Sequence, residues 1–254
     1  MSIKIATLNN VATIEIARPE KKNAITVDMY AVMAAALRAA EADAAVRAVL
    51  ITGQPGIFTS GNDLEDFMQR PKQGMDSPVF QFMKALSTCE KPVVAAVTGA
   101  AIGIGTTILL HCDLVYVSDE ARLAMPFTSL GLVPEFASSL ILPQLLGHVR
   151  AAEKLLLGDP FTAPEAVEIG IANAVLPAGE VVNHARRMAE RFNALPPAAV
   201  RESKKLMKRA GAEKVLETIA VEGGVFSERL TSPEAREAFS AFFQKRKPDF
   251  SQFS

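Results

Sequence analysis

The chain has 254 residues, long enough for one sizeable core with or without a small appendage. Hydrophobic residues make up 49% and charged residues 22%, a globular balance, and 27 Lys and Arg against 28 Asp and Glu leave a net charge of -1, which excludes a global basic field for nucleic acid or an anionic membrane. Two cysteines, Cys89 and Cys112, exclude a disulfide framework, the opening MSIKIATLNN lacks an apolar signal core, and no apolar run approaches the roughly 20 residues of a membrane span, so a cytoplasmic protein is expected.

Residues 3–8 and 11–16 flank Asn9-Asn10 and predict a β-hairpin, because asparagine tolerates the left-handed backbone of tight turns. Arg18-Pro19 stops the second strand, and a polar loop over 20–23 leads to an Ala-rich helix from an N-cap at Thr26 to about Asp43. The run 48–53 is apolar throughout and ends in glycine, as a strand buried on both faces does. A second such run, 92–99, passes through a glycine-spaced turn into a helix expected to end near His111; a third occupies 113–117, with a short strand near 122–124. Strands alternating with helices predict an α/β fold. After Pro134 the pattern is helical, with candidates at 138–147, 149–157, 163–169 and 180–194. Pro196-Pro197 marks a boundary before three more helices at about 198–210, 213–229 and 233–246. The expected division is therefore an α/β core, 1–195, and a helical region, 196–254.

Several chemistries have no residues to carry them. His111, His148 and His184 lack metal-ligand spacing and read as surface or helix-end residues. There is no Gly-x-Ser-x-Gly elbow and no Gly-Lys-Ser/Thr phosphate loop. Two glycine-rich segments remain. Gly99-Ala100-Ala101-Ile102-Gly103-Ile104-Gly105 follows one buried strand, and Gly56 through Leu64 follows another. Glycines at such positions bare backbone N–H groups, and two such loops in one α/β body can aim two donors at one carbonyl oxygen. A third segment, 130–139, sets Glu135 among apolar neighbours just before a helix. There a carboxyl resists ionisation and its pKa rises toward the range of proton transfer. An exposed helix-start carboxylate is the competing reading.

Arg18-Pro19 with Lys22-Asn23-Ala24, Phe58 through Leu64, Lys91 through Gly99, Cys112-Asp113, Gly131-Leu132-Val133-Pro134 and the tail from Ala238-Phe239 to Phe250 together resemble the enoyl-CoA hydratase/isomerase superfamily, the crotonase fold. The resemblance spans nearly the whole chain. It implies a spiral of ββα turns, a C-terminal helical region that builds homotrimers or hexamers, and an acyl-CoA thioester substrate with no metal or redox cofactor. It also implies that the backbone N–H groups of Asn62 and Ile104 hold the thioester oxygen as it becomes an enolate. Lys22 and Ala24 would then lie near the adenine and phosphates, and Ser60, Gly61, Asp63 and Leu64 along the pantetheine and thioester. Phe127, Leu130 and Phe136 are the candidate walls of the acyl pocket.

Hydratases of this family use two glutamates, and the matching positions here are Thr107 and Phe127. Adding water across a double bond needs a base for the water and an acid for the carbon, so their loss speaks against hydration. Pro134-Glu135-Phe136-Ala137-Ser138-Ser139 instead resembles the delta-isomerase branch, in which one glutamate carries a 1,3-proton shift. No neighbouring group in the sequence is identified that would orient Glu135. The alternatives are other enolate chemistry, either 2-enoyl-CoA hydration or thioester hydrolysis, and RNA binding through Arg201, Lys204, Lys205, Lys208 and Arg209. Near-neutral net charge favours a solvated helical face for that cluster and no nucleic-acid partner.

Overall fold

The structure, a computed structural model, describes residues 2–70 and 74–253. It begins with the expected hairpin. Strands β1 (Ile3–Leu8) and β2 (Val11–Ile16) pair antiparallel, and Asn9 and Asn10 between them take φ of 48° and 61°, the left-handed pair that two-residue hairpins favour. Helix α1 (Val27–Ala42) starts where the Thr26 side chain accepts a hydrogen bond from the Met29 amide.

Three strand pairs then follow, each interrupted or followed by helix: β3 (Ala48–Thr52) with β4 (Gly56–Thr59), β5 (Val93–Val97) with β6 (Gly99–Ile102), and β7 (Leu114–Ser118) with β8 (Arg122–Ala124). Helices α2 (Leu64–Gln69) and α3 (Pro78–Ser87) separate the first two pairs, and α4 (Ile104–Thr107) the second and third. In every pair the first strand joins one sheet and the second joins another, so the chain winds as a spiral of ββα turns. The larger sheet has six strands in the order β1-β2-β3-β5-β7-β10; the smaller has four, β4-β6-β8-β9. Beyond β8 come α5 (Ser138–Leu146), α6 (His148–Ala152), β9 (Phe161–Thr162), α7 (Ala163–Glu168), β10 (Ala174–Leu176) and α8 (Val181–Glu190). Helices α9 (Pro197–Lys208), α10 (Ala212–Leu230) and α11 (Pro233–Phe243) complete the described chain.

Side-chain alternation along β3 shows why its sequence is apolar throughout. Val49 and Ile51 enter the main core with Phe58 and Leu123 of the smaller sheet and Tyr30 and Met33 of α1. Ala48 and Leu50 face the other way, where Val181, Ala185 and Ala189 of α8 cover them. The C-terminal helices are tied back onto the α/β body. Lys204 Nζ of α9 donates to Asp113 Oδ2 at 2.6 Å and to the Lys91 carbonyl at 2.7 Å.

The structure corrects several sequence expectations. The segments around Gly56 and Gly99 read as turns, yet β4 and β6 lie there and pair in parallel. Glycine serves close approach: a Cβ on Gly99 would sit 2.0 Å from the Gly56 carbonyl oxygen. The helix foreseen up to His111 is four residues of α4 followed by a 3-10 turn, Ile108–His111. Helix α3 was not foreseen, and β9 and β10, two and three residues long, interrupt a region expected to be purely helical. The helix foreseen over 149–157 is α6 followed by a π turn, Glu153–Leu157. Lys204 is 4% exposed, and Lys208 Nζ donates to the His111 carbonyl at 3.3 Å. The supposed basic face of α9 therefore turns two of its cations inward.

Candidate active site

Because β4 and β6 are parallel neighbours, their carboxyl ends open on the same side, and Asn62 and Ile104 follow just beyond them. Gly103 precedes Ile104 with φ 57° and ψ -118°, a conformation that glycine adopts without penalty. It turns the chain so that Ile104 becomes the first residue of α4, whose amide has no partner inside the helix. Several neighbouring amides are used. Gly61 N donates to Thr59 Oγ1, Asp63 N to the Ile25 carbonyl, Gly103 N to that of Ala124 and Thr106 N to that of Gly103. Among the described residues the N–H groups of Asn62 and Ile104 have no such partner. Both residues line a cavity of about 700 Å³, so two spare donors border one space.

The loop before this cavity is built by Arg18 and Asn23, which the sequence marks as part of a motif without giving them a structural role. Asn23 is wholly buried; its Oδ1 accepts from Arg18 N and its Nδ2 donates to the carbonyls of Ile16 and Phe58. This holds Lys22 and Asn23 in consecutive left-handed conformations, φ 52° and 55°. Lys22, Ala24, Ser60, Gly61, Asp63 and Leu64 all line the cavity, as do Phe127 and Leu130. Asp63, however, spends its carboxylate on structure: Arg18 donates to Oδ2 at 2.6 Å and Asp66 N to Oδ1 at 3.1 Å, capping α2. Phe226 and Leu230 of α10 and Phe242 and Phe243 of α11 form an apolar wall of the same cavity. The tail thus supplies part of the site.

Glu135 borders a smaller cavity of about 30 Å³ that shares Asn62, Phe67 and Phe226 with the large one. Phe136 lines this small cavity too, but its ring stacks on His111, centroids 3.8 Å apart. Glu135 is 4% exposed, and Thr107 Oγ1 donates to its Oε1 at 2.9 Å. Thr107 is thus the orienting group that the sequence left unidentified. Burial and the nearby Glu222 charge push the Glu135 carboxyl up to about 8, against the Thr107 hydrogen bond, which lowers it. A carboxyl with that proton affinity can take a proton near neutral pH and give it back. Tyr30, wholly buried on α1, donates from its Oη to Asn62 Oδ1 at 2.5 Å and so fixes the residue bearing one of the spare amides.

His111 departs most from expectation. Read as a surface or helix-end residue, it does end the 3-10 turn but is only 3% exposed, and its Nε2 lies 2.8 Å from the Phe136 carbonyl oxygen. Burial brings its pKa down to about 3, so the ring is neutral and Nε2–H is the donor. No sequence spacing joins His111 to Phe136; a fold-level contact does. Among the described residues, no three His, Cys, Asp or Glu side chains gather where they can hold a metal ion, and no helix is long and apolar enough to cross a membrane.

Comparison with known proteins agrees with this geometry. The sequence model described as enoyl-CoA hydratase/isomerase matches residues 6–253. A solved structure of Pseudomonas aeruginosa OdaA is 55% identical with a TM-score of 0.93, covering 95% of this chain and 98% of that one. Enoyl-CoA delta isomerase 2 of Homo sapiens is 32% identical over 96% of this chain, which spans only 64% of that longer protein. The short-chain-enoyl-CoA hydratase of Clostridium acetobutylicum is also 32% identical, over 93% of this chain and 92% of its own. Isomerases and hydratases are thus both among its relatives at modest identity.

Proposed function

The chain belongs to the enoyl-CoA hydratase/isomerase family, and we propose that within it this protein is a delta-isomerase converting 3-enoyl-CoA to 2-enoyl-CoA. One observation carries the choice. Of the residues lining the small cavity, Glu135 is the single ionisable one, while the two positions that hold the hydratase glutamates carry the hydroxyl of Thr107 and the phenyl ring of Phe127. Hydration asks for two proton carriers; a 1,3-shift asks for one.

In the proposed reaction the thioester oxygen of the acyl-CoA lies between the amides of Asn62 and Ile104. The Glu135 carboxylate takes a proton from C2. The C2–H bonding electrons pass into the thioester, giving a dienolate whose oxygen charge is stabilised by the two N–H donors. Glu135 then delivers the same proton to C4, the double bond settles between C2 and C3, and the carboxylate is restored. Nothing is oxidised or reduced, and no metal or redox cofactor takes part. The cavity bordered by Lys22, Ala24, Ser60, Gly61, Asp63 and Leu64 takes the coenzyme portion, and Phe127, Leu130 and Phe136 shape the acyl end.

The wider setting proposed is the degradation of unsaturated fatty acids in the cytoplasm, by a homotrimer or hexamer assembled through the region 196–254. Exposed Leu206, Met207, Val221 and Val225 support such an assembly, and a solution mass by light scattering tests it. Supplying a 3-enoyl-CoA and following the absorbance of the conjugated thioester tests the activity, with Glu135→Gln in parallel. Turnover that is lost in the variant supports the reading. Faster hydration of a 2-enoyl-CoA, or release of free coenzyme A thiol, would replace it with a hydratase or a thioesterase.

A further inference from the structure

The residues immediately after Glu135 are held in a costly shape. Phe136 and Ala137 take φ of 58° and 56°, a left-handed backbone that a non-glycine residue adopts only at an energetic cost. Such a turn persists only where its surroundings over-determine it. Two of the anchors are local to the site: Ser138 Oγ donates to the Glu135 carbonyl at 2.7 Å, and His111 Nε2–H donates to that of Phe136.

The third anchor comes from far along the chain. Glu222 of α10 accepts from Ala137 N at 2.5 Å through Oε2 and from Ser139 N at 2.9 Å through Oε1. Helix α5 has no side-chain cap of its own, and a carboxylate at this end also meets the positive pole of the helix. Glu222 is 7% exposed. Its α10 neighbours Ile219, Gly223 and Phe226 line the small cavity with Glu135, but Glu222 itself does not. It therefore touches the turn and not the substrate space.

We propose that Glu222 is a positioning residue for the reaction. By clamping the Ala137 and Ser139 amides it fixes the left-handed turn that aims the Glu135 carboxyl at the cavity. The inference rests on Glu135 as the proton carrier. The ionisable groups acting on Glu135 or on its turn are Tyr30 from α1, Glu222 from α10 and, through the Phe136 carbonyl, His111 from the turn after α4; Lys208 of α9 donates to the His111 carbonyl. Tyr30 and His111 stay neutral there, burial raising the first and lowering the second. Burial raises the Glu222 carboxyl, against the hydrogen bonds with Ser139 and Ala137, which lower it; in its ionised form it is the charge whose removal should lower the Glu135 midpoint.

Glu222→Gln keeps the shape but offers one acceptor oxygen and an NH2 group, so one of the two backbone donors loses its partner. The expected result is a kcat lower by about 10- to 100-fold, as small misplacements of reacting groups produce, with KM within about twofold of the parent. An infrared pH titration of the Glu135 carboxyl, its band assigned by loss in Glu135→Gln, reads the charge effect without any turnover. Its midpoint should move down from about 8. Glu222→Asp retains the charge on a stem one methylene shorter; its midpoint should stay near the parent's and its kcat fall between those of parent and Gln variant. Should Glu222→Gln fail to fold, the Asp variant decides, and an unchanged kcat there overturns the proposal. An unchanged kcat and midpoint in a folded Glu222→Gln protein overturn it equally. If Glu135→Gln itself turns over normally, the proton-carrier reading fails instead, and the two failures are told apart.

Discussion

Glu135→Gln offers a test in which stability and activity must move in opposite directions. The carboxyl is buried, and its pKa is raised from the ordinary 4.5 to about 8. The folded protein therefore binds this proton more tightly than the unfolded chain does. The stability associated with the neutral carboxyl is complete below about 4.5 and is lost as pH rises through about 8. The gap between these two values corresponds to on the order of 5 kcal/mol once the group is ionised in both states. Gln cannot ionise and never incurs that loss. Urea denaturation of parent and variant at one protein concentration, from about pH 5 to about pH 9, should give similar stabilities at the acid end and a widening advantage for Gln toward the alkaline end. Titrating groups that do not interact with Glu135 are common to both proteins and cancel in the difference; Glu222 and Tyr30, which do interact with it, leave a smaller remainder. Isomerase turnover, meanwhile, should disappear from the variant across the whole range. Parallel stability curves would refute the claim that Glu135 is destabilised by ionising where it sits.

Thr107→Val removes a donor that favours the ionised Glu135, so the rising limb of the rate–pH profile should move to higher pH, opposite to the shift expected for Glu222→Gln, with turnover at pH 7 down about tenfold. Gly99→Ala forces a methyl group onto the Gly56 carbonyl and should cost about 1–3 kcal/mol of stability, or more where the strands must part; thermal melting measures it. Lys204→Ala strands the Asp113 carboxylate, whose ion pair with Lys204 is 2.6 Å long and buried on both sides, and should cost about 3–5 kcal/mol in urea denaturation.

The hairpin, α1 and the buried strands β3, β5 and β7 were legible because each follows from one local rule. Asn9-Asn10 states the turn, Thr26 states the helix start, and an unbroken apolar run states a strand covered on both faces. Of the smaller sheet only β8 was legible, as the short strand near 122–124. Its strands are two to four residues long, too short for a period of two to register, and the glycines at Gly56 and Gly99 that let β4 and β6 meet also spell a turn. The site divides in the same way. Asn62, Ile104 and Glu135 sit in segments whose order matches a family pattern. Thr107, Tyr30, His111 and Glu222 act on them through contacts 25 to 85 residues away in sequence, and separations of that size leave no periodic trace. His111 shows the limit plainly: alone it resembles any helix-end histidine, and only the stacked ring of Phe136 gives it a task.

The apolar wall contributed by Phe226, Leu230, Phe242 and Phe243 has a temporal side. A ribosome makes Glu135 and both spare amides well before it makes α10 and α11, so a nascent chain holds the reacting groups while one side of their chamber is still missing. The chamber is then open on that side, and the Glu135 turn lacks its clamp from Glu222. Helices made after the reacting groups thus close the chamber around them.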